Sequence, residues 1–205
     1  MPNASRRIAL GTVFILLAGT LVLGHAVKAP CASGEWGDNR QYARLCYTDL
    51  VHQLGTEQLR GGRLPFLDPC EGSSGQCDEY PVLTMWTMRA SAWISGPNIA
   101  DYFYSSSVMM WIAAFVVALC LYLIAGNRVL YFVLAPTPAL YATMNWDLLA
   151  IAFAAGGTLA YLRRRDAWSG VLLGLGAAAK VFPMLLVVAF VAGRLRGKEP
   201  DRGRR

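Results

Sequence analysis

Four short polar clusters in this sequence carry side chains that can do chemistry. Asp49, in Tyr47-Thr48-Asp49, offers a carboxylate that can take the proton from an attacking hydroxyl, as a group transfer with inversion requires of a general base. Glu79 and Tyr80 stand in Asp78-Glu79-Tyr80-Pro81, an acidic cluster that can hold a cation through oxygen ligands or form a solvated turn. Asn145 and Asp147 flank Trp146 in a third cluster. Lys180, three residues before Pro183, is a compact cation suited to a phosphate. Each has a plainer reading. Thr48 or Asp49 can cap the helix that Leu50-Val51-His52-Gln53-Leu54 suggests, and Asp147 can cap another. Lys180 can snorkel to an interface. His52, one turn after Asp49, reads as a surface residue. Gly170, Gly174 and Gly176 form a small-residue face suited to helix packing, and no phosphate-loop or dinucleotide fingerprint is present.

Four cysteines, Cys31, Cys46, Cys70 and Cys77, lie in the same polar stretch as Asp49 and Glu79. Four cysteines allow three pairings. Nearest-neighbour pairing is the simplest and would staple two small loops outside the cytosol. A zinc site is the rival reading, but the C-x-x-C spacing is missing, and the expectation is no metal. Cys120 lies in an apolar run and reads as packing.

The elements that must position these groups are apolar. The chain has 205 residues, 55% hydrophobic and 16% charged, where soluble domains carry about 25% charged residues. This is the composition of an all-α, polytopic membrane protein. The net charge of +6 comes from Arg6 and Arg7, Arg163 to Arg165, and the run from Arg194 to Arg205. Such placement at segment ends is that of cytoplasmic flanks. No basic patch interleaves with aromatics, which excludes nucleic acid as a partner.

Residues 8–27 read as an uncleaved first transmembrane helix with a cytoplasmic N-terminus. Residues 28–106 then form a large extracytoplasmic loop, net acidic where every other polar stretch is basic. Within it, residues 81–96 suggest an interfacial helix with Met85, Trp86, Met88, Ala92 and Trp93 on one apolar face. Residues 107–125 form a second span, 129–143 a third broken by Pro136 and Pro138, and 148–162 a fourth that stops at three arginines. Residues 167–193 form either a fifth span or a re-entrant hairpin. The hairpin is favoured, because turning near Lys180 to Pro183 returns the basic tail, 194–205, to the cytoplasm and keeps Lys180 out of the bilayer centre.

Five segments in order carry a family resemblance: Y-T-D-L, R-G-G-R-L-P-F, E-Y-P-V-L-T, N-W-D-L-L-A and G-V-L-L-G-L-G-A-A-A-K-V-F-P. Together they resemble the actinobacterial branch of glycosyltransferase family 87, polytopic enzymes of the GT-C fold. The resemblance implies a single GT-C-like membrane domain and an inverting transfer of a hexose, typically mannose, from a polyprenyl-phosphate-linked sugar. The acceptor would be a cell-envelope glycolipid or cell-wall glycan, met at the extracytoplasmic face of the lipid bilayer. It implies Asp49 as catalytic base and Glu79, Tyr80, Asn145, Asp147 and Lys180 as substrate-binding residues, with Lys180 near the donor phosphate. It implies no cofactor, no nucleotide sugar and no bound metal. The resemblance covers only the N-terminal half of the family fold, so the expectation is either a fragment or a chain whose further helices come from a second chain as partner. The reading from another class is a non-catalytic membrane protein: an accessory subunit, a degenerate relative or a transporter fragment. There Pro136, Pro138 and Lys180 would serve as broken-helix features. That reading leaves the cysteine-rich loop unexplained, and no inverted repeat is visible.

Overall fold

The computed structural model describes residues 8–34, 36–37, 39–71 and 77–196. Arg6 and Arg7, the Glu35 and Asp38 carboxylates, the centre of the Cys70–Cys77 loop and the basic run from Lys198 to Arg205 lie outside them. Among the described residues the protein is all-α, without strands.

The first helix, α1 (Leu10–Ala32), has no charge before Lys28. At 1.5 Å per residue its 23 residues reach about 35 Å, enough for a hydrocarbon core of about 30 Å. The polar stretch that follows contains α2 (Arg40–Ala43), α3 (Asp49–Thr56) and α4 (Val82–Ser95). The long α5 (Ile99–Ala125) starts at Asn98, whose side chain accepts the Asp101 N–H at 3.0 Å. It stops at Gly126, which takes φ +59°, a value that favours glycine after a helix. α1 and the stretch that α5 begins are both long and apolar enough to cross a membrane.

The stretch expected as one span over 129–143 is broken into α6 (Leu130–Val133) and α7 (Pro136–Tyr141). Pro136 holds Ala135 extended, at φ −68° and ψ 148°, which ends the first piece. The pieces still climb beside α1. The Ile8 N–H donates to Asn127 Oδ1 at 2.9 Å, and the Thr20 hydroxyl donates to the Val133 carbonyl at 2.8 Å. Gly24 then meets the Ala139 backbone so closely that a Cβ would collide with its carbonyl. The carbonyl freed by the break is thus satisfied by a neighbouring hydroxyl, as a low-dielectric setting demands.

The helix α8 (Asp147–Leu162) runs back and packs antiparallel on α9 (Asp166–Ala179), with Gly157 admitting Leu173 and Ser169. Residues 167–193 form two helices, not one. The chain turns at Lys180–Pro183, and α10 (Met184–Arg196) returns along α9. Arg194 closes the hairpin by pairing with Asp166 at 2.6 Å and donating to the Tyr161 carbonyl at 2.6 Å. Gly176 leaves room for Pro183, whose ring would sit 3.0 Å from a Cβ there.

The core joins Val13, Leu17 and Leu21 of α1 to Phe103, Met110, Ala114 and Val117 of α5, and extends to Leu50, Leu54, Met85, Met88 and Trp146. On α4 the five apolar residues do not share a face as expected. Met85, Met88 and Ala92 are buried, whereas Trp86 and Trp93 are exposed. Seven residues bring Trp93 nearly back under Trp86, on the side of the helix away from the core.

Candidate active site

The loop end of the bundle gathers most of the polar residues singled out above. Two disulfides shape it: Cys31–Cys46, with Cα atoms 5.9 Å apart, and Cys70–Cys77, with Cα atoms 6.1 Å apart. The first ties the last turn of α1 to the strand-like entry of α3. The Trp36 indole N–H donates to the Cys46 carbonyl at 3.1 Å and fixes the same point from the other side.

Asp49 is the first residue of α3. The cap is Thr48, whose hydroxyl oxygen accepts the Leu50 N–H at 3.2 Å. The Thr48 hydroxyl also donates to the Thr143 carbonyl at 2.7 Å, and the Asp49 N–H donates to the Met144 carbonyl at 2.8 Å. These two bonds weld the entry of α3 to the entry of α8, two segments 95 residues apart. Asp49 is half-buried, and its Oδ1 accepts the Tyr47 hydroxyl at 2.5 Å. That bond pushes the Tyr47 phenol up to about 12, so it stays a donor throughout the physiological range. Among the described residues no hydrogen bond is made to Asp49 Oδ2, which leaves one carboxylate oxygen for a ligand.

Asn145 stands just before the entry of α8: its Oδ1 accepts the Asp147 N–H at 3.1 Å, and its Nδ2 donates to Asp147 Oδ2 at 2.9 Å. The other oxygen, Oδ1, pairs with the Lys180 ammonium. Lys180 takes extended backbone as α9 ends, which swings its side chain toward α8. The side chains of the pair remain 43% and 33% exposed, so the cation is reachable by a ligand. A cavity of about 220 Å³, lined by Phe132, Pro138, Tyr141, Leu148 and Ile151, opens beside Asn145 and Asp147.

Tyr80 lies within electrostatic reach of both groups. Burial raises its phenol first, Asp49 and Asp147 push it further up, and Gln53 and Lys180 pull it down. One phenol therefore feels both carboxylates and the lysine. Glu79 behaves differently: its side chain is exposed, and its backbone N–H donates to the Glu57 carboxylate at 3.4 Å. Asp78 is likewise structural. Its carboxylate receives the Arg63 guanidinium and the Phe66 N–H at 3.2 Å, and its N–H donates to Glu57 Oε2 at 2.6 Å. Burial raises the Glu57 carboxyl, and the two backbone N–H groups oppose that shift. Among the described residues, Cys70, Cys77 and Asp78 are the one trio close enough to share a cation. Both sulfurs are spent in the disulfide and Asp78 is ion-paired, so the trio does not suit a metal. His52 is exposed.

Lys28 is the residue that sequence reasoning misplaced. It belongs to the last turn of α1 rather than to the loop, it is 1% exposed, and its ammonium donates to the Tyr47 carbonyl. The available signal was the helical run from Leu10 continuing unbroken to Lys28, one turn before Cys31. The role of Tyr47 was missed as well, because the sequence shows it beside Asp49 but not that its hydroxyl donates to the carboxylate.

The glycosyltransferase family 87 model matches residues 80–198, more than half of the chain. Tyr80, Asn145, Asp147 and Lys180 lie inside the matched stretch; Asp49, Glu79 and the disulfides precede it. No curated protein and no solved structure matches. An apolar all-α chain with its polar cluster at one end, matched over that length, belongs to glycosyltransferase family 87 and is a membrane glycosyltransferase.

Proposed function

We propose that the chain transfers a hexose, mannose foremost, from a polyprenyl-phosphate carrier to a cell-envelope glycolipid or glycan, with inversion. The observation that carries this reading is that Asp49, whose N–H donates to the Met144 carbonyl, and the Asp147–Lys180 ion pair lie together at one end of an apolar bundle. A half-buried carboxylate with one unbonded oxygen suits a base, and an exposed ammonium suits a phosphate.

In the proposed reaction the acceptor hydroxyl lies against Asp49 Oδ2. Its oxygen attacks the anomeric carbon from the face opposite the carrier, and Asp49 takes the proton. The bond from the anomeric carbon to the carrier oxygen breaks, and polyprenyl phosphate leaves with the electron pair. Lys180, held by Asp147 and Asn145, faces the charge that grows on that phosphate. The cavity lined by Phe132, Pro138, Tyr141, Leu148 and Ile151 gives the first isoprene units an apolar path to that point. No nucleotide and no metal is required for these steps.

The same geometry supports a topology. Arg128, Arg163, Arg164, Arg165, Arg194 and Arg196 belong to the end opposite Asp49, which under the positive-inside rule is cytoplasmic. The Asp49 end then faces the extracytoplasmic side, where disulfides persist. The test is transfer in sealed vesicles from polyprenyl-phosphate-mannose of known anomeric configuration. The proposal expects a product of opposite configuration at the anomeric carbon. Retained configuration, or transfer from a nucleotide sugar alone, would overturn it.

A further inference from the structure

The R-G-G-R-L-P segment stands apart from the site described above, yet the fold gives it a partner. Gly61 and Gly62 lie over α4, and Gly62 takes φ +88°, a conformation that favours glycine. A Cβ built there would meet Arg89 Nη2 at 3.9 Å, so Gly62 lies against the guanidinium. Leu64, Trp86, Arg89, Ala90 and Trp93 line a cavity of about 240 Å³ between Leu64 and the helix. Trp93 is 80% exposed and Trp86 38%, which leaves both indoles open to a ligand.

Arg89 differs from its neighbour Arg63. Arg63 is spent on Asp78, whereas among the described residues Arg89 has neither an ion pair nor a hydrogen bond, and its Nε is buried without a partner. A partly buried guanidinium without a counter-ion is costly unless an anion completes it. Two exposed indoles beside it offer flat apolar faces of the kind that ligand sites use to seat a ring. Arg89 lies seven residues along α4 from Val82, roughly 10 Å at 1.5 Å per residue, and Tyr80 stands just before that start. An acceptor whose hydroxyl reached Asp49 would carry its more distant part past this groove.

We propose that the Trp86–Arg89–Trp93 groove is an acceptor subsite that holds an anionic, sugar-bearing group, a ring on the indoles and a phosphate on Arg89. This rests on the chain's being a glycosyltransferase that meets its acceptor at the Asp49 end, but it is independent of the donor. The ring requirement separates it from a helix merely anchored to lipid phosphates.

The test is direct binding. The full chain in phosphatidylcholine nanodiscs is titrated with glucose 6-phosphate, glucose and inorganic phosphate while tryptophan emission is followed. Glucose 6-phosphate is expected to give a saturable change and to bind about tenfold or more tightly than either fragment, the worth of one charge-assisted contact. Arg89→Gln should lose that advantage and Trp93→Ala, at an open surface position, should weaken binding several-fold, while Arg60→Gln should not. Equal binding by wild type and Arg89→Gln would overturn the proposal. So would a response to phosphatidylglycerol in the nanodisc with none to glucose 6-phosphate, which would leave Arg89 as a membrane anchor. Because no transfer is measured, failure here leaves the Asp49 reading untouched.

Discussion

Lys28 shows how much of this site depends on one buried charge. Its ammonium holds the Tyr47 carbonyl, and Tyr47 in turn donates to Asp49, so a cation at the end of α1 orients a carboxylate at the start of α3. Lys28→Met leaves that carbonyl without its donor and frees the entry of α3. The expected result is a fall in kcat on the order of tenfold to hundredfold, the scale of a catalytic group displaced by about 1 Å. The KM for donor should hardly move, since Lys180 lies on another element. Steady-state kinetics separate the two, and an equal rise in donor KM would show that Lys28 acts on the donor instead. The sequence marks Asp49, Asp147 and Lys180 as charges beside apolar runs, and the fold pairs the last two. Lys28 was not legible there, because a lysine just past an apolar run reads as loop until its carbonyl partner is known. Glu79 meets the fold through its backbone, with its side chain exposed, while its neighbour Asp78 serves Arg63.

At the scale of elements, the arrangement rests on contacts between segments far apart in sequence. α1 approaches α7 at Gly24, where any side chain would strike the Ala139 carbonyl. Gly24→Ala should therefore destabilise the protein by about 1–3 kcal/mol, the usual cost of overpacking. Thermal unfolding in detergent would read it, and an unchanged Tm would show that α7 is free to move aside. The break at Pro136 was legible from the proline itself, which forbids the ladder bond and extends the residue before it. The climb of the broken pieces beside α1 was not, since it depends on Asn127, Thr20 and Gly24, each unremarkable alone. The turn at Lys180–Pro183 was legible because a straight helix would leave a lysine at bilayer depth and a basic tail on the wrong side. The faces of α4 were misread for a simple reason. Periodicity says that two apolar sets exist, but not which of them the core takes.

As a whole the molecule is polarised. One end carries Asp49, Tyr80, Asp147 and Lys180, and the other carries Arg128, Arg163 to Arg165, Arg194 and Arg196. Between them α1, α5 and α10 present apolar side chains outward, among them Ile15, Leu23, Val108, Ile112, Leu185 and Val188. A belt of that kind belongs against lipid. Because Arg194 pairs with Asp166, the two ends of the α9–α10 hairpin must lie on one side of the membrane. Single cysteines at Arg164 and Leu195 should thus be labelled only from the cytoplasmic face, and one at Thr56 only from outside. Labelling of the Leu195 cysteine from outside would break the hairpin reading.

The measurement that bears most directly on the central claim is transfer by Asp49→Asn in the otherwise intact protein, with donor binding followed in parallel. Asparagine keeps the shape and cannot take a proton, and loss of a general base typically removes a factor of about 10²–10⁴. The account predicts a loss of that size with donor binding and yield preserved. Transfer at the wild-type rate would contradict it and return Asp49 to the first turn of α3 as a structural residue alone.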